Sequence, residues 1–172
     1  MLLWFLGTAL ATVWYVFTDP RFDYRLLLVG ALLPDIIDVP MGHARWAHSL
    51  TVAVGTLAAA MLVTAGRKPV RRLLLGLPIG MLLHLGFDGA FASTKVFWWP
   101  FGGNWGAVRV PSLERAWWLN AVLELAGAAL LRWAWRRFDL GDPTRRAQLV
   151  RHGTLTDRRG ASGAARAGRR RV

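Results

Sequence analysis

Four stretches of this chain are apolar for long enough, and free enough of charge, to read as membrane-crossing helices: residues 2–17, 49–65, 73–92 and 116–135. A bilayer core about 30 Å thick needs about 20 such residues at about 1.5 Å of rise each. Residues 26–38 (LLLVGALLPDIID) are apolar over a shorter length, which predicts a re-entrant or half-spanning helix. The first stretch has no basic residue ahead of it and no convincing small-residue cleavage site behind it, so a retained span is expected rather than a signal peptide. The expected fold is all-α: a polytopic membrane protein with about four transmembrane helices plus one short re-entrant or half-spanning helix.

Composition and charge add an orientation. The 172 residues are 54% hydrophobic and include ten tryptophans, yet 22 Lys+Arg stand against 10 Asp+Glu, a net charge of +12. A soluble nucleic-acid binder has little use for so much apolar surface. With no cysteine, a disulfide scaffold and a thiolate metal site are both excluded. Residues 136–172 hold eleven bases and three acids, and residues 1–135 hold eleven and seven. The chain is therefore expected to divide into a transmembrane helical domain, 1–135, and a basic, largely disordered cytoplasmic tail, 136–172. The loop 67–72 has four bases and no acid, which makes it cytoplasmic. With 26–38 re-entrant, the first segment runs outward from a cytoplasmic start and the last runs back inward, leaving Trp14 outside and Trp4, Trp133 and Trp135 inside. The tail calls for no specific nucleic acid, because its contacts to phosphates carry no sequence information. Membrane lipids surround the body, and anionic lipid head groups are the nearer partner for the tail.

The informative charges are the acids and histidines that interrupt apolar runs. Asp35 and Asp38 stand at i, i+3 behind Pro34, and share a face if that turn is helical. His84 and Asp88 stand at i, i+4 within the third span, a spacing that lets two side chains reach one ion. His48 sits at the start of the second span, and all three stretches can meet at the outer side of the bundle. Bland readings stand beside these. Asp38 suits a solvated cap, Asp88 a hydrogen bond to His84 or Ser49, and the aromatic run 96–103 an interfacial belt rather than a lid. Glu124, with Asn120 at i−4, is a polar stripe near mid-membrane, and Arg45 and Lys95 flank the cluster. Carboxylate and imidazole donors without thiolate favour a divalent ion such as Zn²⁺ or Mn²⁺.

Taken together, the motifs resemble those of the bacterial membrane-bound metal-dependent hydrolase family. The family pattern is LLPDxD, then HRGxTHS, then SHxxxD with a short run ending in WP. Here the matching stretches are 32–38, 43–49 and 84–88, with Trp99 and Pro100 closing the third. The second acid stands three residues after Asp35 instead of two, the middle motif reads HARWAHS, and the histidine often found in the first helix is absent. The resemblance implies that Asp35, His48, His84 and Asp88 bind the metal at a site in the bacterial inner membrane.

The expected function is metal-assisted hydrolysis of a lipid or lipid-linked ester, with Asp38 or Glu124 as general base and Arg45 holding an anionic group. Two other classes fit the same residues: a non-enzymatic membrane protein with a structural metal or polar cluster, and a small transporter using His84, Asp88 and Glu124 as a relay.

Overall fold

The computed structural model describes residues 1–17, 19, 22–38, 40, 44, 46–92, 94–101 and 115–157. It is all-helical, with no strand among the described residues. The helices are α1 (Leu2–Val16), α2 (Tyr24–Asp38), α3 (Leu50–Val63), α4 (Lys68–Leu74), α5 (Gly76–Asp88), α6 (Thr94–Phe97), α7 (Trp117–Arg137) and α8 (Pro143–His152). Short 3-10 turns at Trp46–His48 and Ala90–Ala92 link the longer pieces. Among the described residues one helix is long and apolar enough to cross a membrane: Lys68–Asp88, 21 residues, formed by α4 and α5 end to end. α1 and α3, at 15 and 14 residues, are apolar but shorter. α7 has 21 residues but carries Asn120, Glu124 and Arg132 inside it.

The five long helices alternate in direction. The Leu3 N–H donates to Glu124 Oε2 at 2.9 Å, Gly7 lies against Gly127, and Trp14 meets Trp133 edge-on with centroids 5.3 Å apart. These three contacts step along both helices in the same sense, so α1 and α7 are parallel. α2 and α5 run the opposite way beside them, with Gly76 against Leu27, Gly80 against Ala31, and His84 bonded to the Ala31 carbonyl. This corrects two expectations. Residues 26–38 belong to a helix as long as α1 that travels from one end of the bundle to the other, instead of turning back halfway. The start of α1 consequently lies at the opposite end from the 67–72 loop, and Trp14 shares an end with Trp133. The apolar run is 13 residues, and Tyr24 and Arg25 extend the helix backward to 15.

Glycines set how closely these helices approach. A Cβ on Gly80 would collide with the Leu27 carbonyl and stand 2.6 Å from the Ala31 nitrogen, and one on Gly30 would run into the Leu77 carbonyl. Gly76 and Gly80 form a GxxxG pair, the small-residue pattern that lets helix backbones touch. Gly7 and Gly127 do the same between α1 and α7.

The first half of the expected tail, 136–157, is structured. Asp142 caps α8 by accepting the Thr144 N–H at 2.8 Å, and these Thr144 hydrogen bonds hold its carboxyl below the usual range. Pro143 follows at the first helical position, and Gly153 ends the helix at φ 70°. Phe138, Leu140 and Leu155 are buried in the main core with Val13 and Leu27, so the helical body extends to Asp157 instead of stopping at 135. Residues 158–172, where the chain is most arginine-rich, lie outside the described residues. Arg25 ties this segment to α2, pairing with Asp23 and donating to the carbonyls of Val150 and Arg151.

Gly80→Leu is expected to destabilise the fold by about 1–3 kcal/mol or more, since the backbones must separate. Gly86→Ala, at an exposed helical position with nothing within 4 Å, is expected to be neutral or stabilising. Thermal unfolding of both variants in detergent checks the contrast.

Candidate metal centre

At the end of the bundle where α2 and α5 finish and α3 begins, three donor atoms converge. His48 Nε2 lies 3.4 Å from Asp35 Oδ1, His84 Nε2 lies 3.6 Å from the same oxygen, and the two Nε2 atoms are 3.3 Å apart. A tetrahedral ion with bonds of about 2.0–2.1 Å spaces its ligands about 3.3–3.4 Å apart, close to the sides of this triangle. Asp35, His48 and His84 thus lie close enough to hold a metal ion.

Local structure aims each donor. Asp35 and Asp38 share one face of α2, as their i, i+3 spacing requires. Pro34, inside that helix, removes the amide that would bond the Gly30 carbonyl, at the point where α5 packs closest. His48 is delivered by the 3-10 turn, and Ser49 then starts α3: its Oγ donates to the Trp46 carbonyl at 2.7 Å and accepts the Val52 N–H at 3.2 Å. His84 comes one turn after Gly80, and Phe5 of α1 stacks on its ring at 4.0 Å.

The other ring nitrogens decide the protonation pattern. His84 Nδ1 is 2.8 Å from the Ala31 carbonyl, which can only accept, so the proton sits on Nδ1 and Nε2 presents a lone pair. His48 Nδ1 donates to Asp38 Oδ2 at 2.7 Å, which turns its Nε2 toward the same point. A carbonyl or carboxylate behind each imidazole is the arrangement that orients histidine for a metal. The three converging atoms then require a cation between them, either a proton on His48 or an ion. Burial pulls the His48 pKa down, but hydrogen bonds to Asp35 and Asp38 and their charges outweigh it and lift it to about 9.

The expected site residues divide. Asp35, His48 and His84 form the triangle. Asp38, fully buried, holds His48 through the Nδ1 hydrogen bond at 2.7 Å and is not among the three converging donors. Asp88 is buried one turn beyond His84, but it is not among the three converging donors. Neither of its carboxylate oxygens has a hydrogen-bond partner among the described residues, so the bonds to His84 and Ser49 are not made. Glu124 accepts the Leu3 N–H at 2.9 Å and stands 3.6 Å from the N-terminal ammonium, and it is not among the three converging donors. Arg45 and His43 lie outside the described residues.

Arg115 was not singled out from the sequence. It donates to the Asp88 carbonyl at 2.8 Å and stands 3.8 Å from Asp88 Oδ1. No motif surrounds it, and it stands just ahead of α7, which starts at this end of the bundle. The aromatic run begins beside the site: Val96 packs on Ala44, whereas Trp98 and Phe101 are exposed.

Comparison with protein-family models, curated proteins and solved structures finds no match to this chain.

Zinc analysis of purified protein is expected to give about one ion per chain, lost in His84→Ala, with Asp38→Asn weakening affinity about 10–100-fold. Equal metal content in wild type and His84→Ala overturns the site. In chelated protein, the raised His48 pKa contributes stability that is complete below about pH 6.5 and fades as pH rises through about 9. Unfolding scans from pH 6 to 10 should show that loss, and bound zinc should remove it by supplying the cation directly.

Proposed function

We propose that the chain is a membrane-bound metal-dependent hydrolase acting on a lipid or lipid-linked ester. The observation that carries this reading is the triangle of Asp35 Oδ1, His48 Nε2 and His84 Nε2, with both histidines fixed through Nδ1. Held there, a divalent ion supplies an acidified water and polarises a phosphoryl or acyl oxygen. Asp38 and the Ala31 carbonyl keep the imidazoles aimed. Asp88, with no hydrogen bond on either oxygen among the described residues, is the group left to accept a proton. Arg115 offsets the Asp88 charge at 3.8 Å. Asp35 is the route to the site, its side chain 18% exposed while those of both histidines are at 1% or below.

A membrane setting is supported by surface chemistry. α3 fully buries only Ala53, and half of LTVAVGTLAAAMLV is exposed, an apolar surface that lipid tolerates better than water. Eleven of the thirteen described lysines and arginines lie at the end opposite the site, with Lys95 and Arg115 the exceptions. That asymmetry supports a cytoplasmic basic end, an outward-facing site and a location in the bacterial inner membrane. The near-complete enclosure of His48 and His84 also favours a second reading, a structural ion joining three helices.

Turnover separates the two. Purified zinc-loaded protein is expected to hydrolyse phospholipid or acyl-lipid esters, with the rate falling about 100-fold or more in Asp88→Asn while metal content is kept. Hydrolysis retained by a His84→Ala/Asp88→Ala variant removes the hydrolase reading. Metal binding without turnover on any lipid ester leaves the structural ion.

A further inference from the structure

The end of the bundle opposite the metal centre carries two neighbouring grooves that share Trp133 as a wall. One, of about 420 Å³, is lined by Ala129, Arg132, Trp133, Arg136 and Arg137. The other, of about 480 Å³, runs between α1 and α7 along Ala11, Thr12, Trp14 and Leu130, and its surface is almost wholly apolar.

The arginines of the first groove are not equivalent. Arg137 is already engaged, bonded to Asp157 at 2.6 Å with its guanidinium 5.0 Å from the Trp14 ring centre. Arg132 and Arg136 are exposed, and among the described residues no carboxylate pairs with either. They stand one helical turn apart, a separation two guanidinium forks can bridge onto one phosphate. Exposed cations with no matching carboxylate among the described residues, next to an apolar trough, describe a ligand with a phosphate at one end and hydrocarbon at the other. Trp133 lies where the two parts would join, the position its amphipathic ring prefers at a membrane interface.

We propose that this double groove binds one anionic phospholipid, its head-group phosphate on Arg132 and Arg136 and an acyl chain in the trough beside Thr12 and Leu130. The proposal uses the bilayer setting argued above and is independent of the metal centre. It also differs from diffuse attraction to the arginine-rich segment 158–172, because it needs two particular side chains and an apolar cavity.

The full chain, purified in neutral detergent, is tested with phosphatidylglycerol and phosphatidylcholine of matched acyl chains, reading retained lipid by native mass spectrometry. The wild type is expected to retain the anionic lipid roughly tenfold better, and Arg132→Gln/Arg136→Gln to abolish that preference. Thr12→Trp, which fills the trough and leaves every charge in place, is expected to lose the lipid as well, and Arg132→Lys/Arg136→Lys to keep most of it. Unchanged retention in the glutamine variant overturns the proposal in favour of the terminal arginines. Full displacement by inorganic phosphate, with Thr12→Trp unaffected, overturns it in favour of a bare anion site. Should the glutamine variant not fold, Thr12→Trp decides alone. Zinc content is expected to be unchanged in all three variants, so a failed hydrolase reading and a failed lipid site give different results.

Discussion

The contact on which the rest of the structure depends is backbone against backbone, where α5 lies in the groove of α2. Gly30, Gly76 and Gly80 leave no side chain between the two helices, so the main chain of Leu77 lies on Gly30 and that of Leu27 on Gly76 and Gly80. Where backbones approach this closely, van der Waals contact along the flat seam holds the two helices together. The seam also fixes a distance. Only at this separation can the ring of His84, one turn past Gly80, donate to the Ala31 carbonyl at 2.8 Å. A methyl group at Gly80 is felt at the imidazole before it is felt at the surface.

That imidazole is then part of an electrostatic arrangement stable only with a cation. Asp35, Asp38 and Asp88 lie in one buried neighbourhood with two histidines, and Arg115 reaches only the edge of it. Several kcal/mol are at stake for each uncompensated buried charge, on the order of the whole stability of a small domain. Protonated His48 can supply one positive charge; a divalent ion supplies two. The closed burial that favours a structural ion would also strengthen every interaction a reacting group felt there.

Much of this was legible in the sequence because the relevant signals are local. Apolar runs marked the long helices, and the i, i+3 and i, i+4 spacings placed Asp35 with Asp38 and His84 with Asp88. What pairs with what was not local. The parallel course of α1 and α7 rests on Gly7 meeting Gly127, and nothing in either segment names the other. A length rule set for an isolated span made a half-helix of residues 26–38, although a helix packed on both sides need not match the bilayer by itself. The order of 138–157 was hidden by its charge, although Asp142-Pro143 and Gly153 are ordinary start and stop signals and Phe138 and Leu155 are apolar anchors. Glu124 looked like intramembrane chemistry because sequence cannot show that its partner is the first turn of α1.

α3 has so little interior of its own that its attachment is largely topological. One alanine is buried along fourteen residues, and the helix starts immediately after His48. An ion gripping Asp35, His48 and His84 would close a loop through three chain segments and turn that start into a fixed anchorage. Without it, the cross-link reduces to a proton that can leave, and α3 keeps a single buried alanine to hold it. Occupancy of the centre would then be felt as tension or slack in a neighbouring helix, which gives the site a mechanical reach well beyond the three atoms that define it.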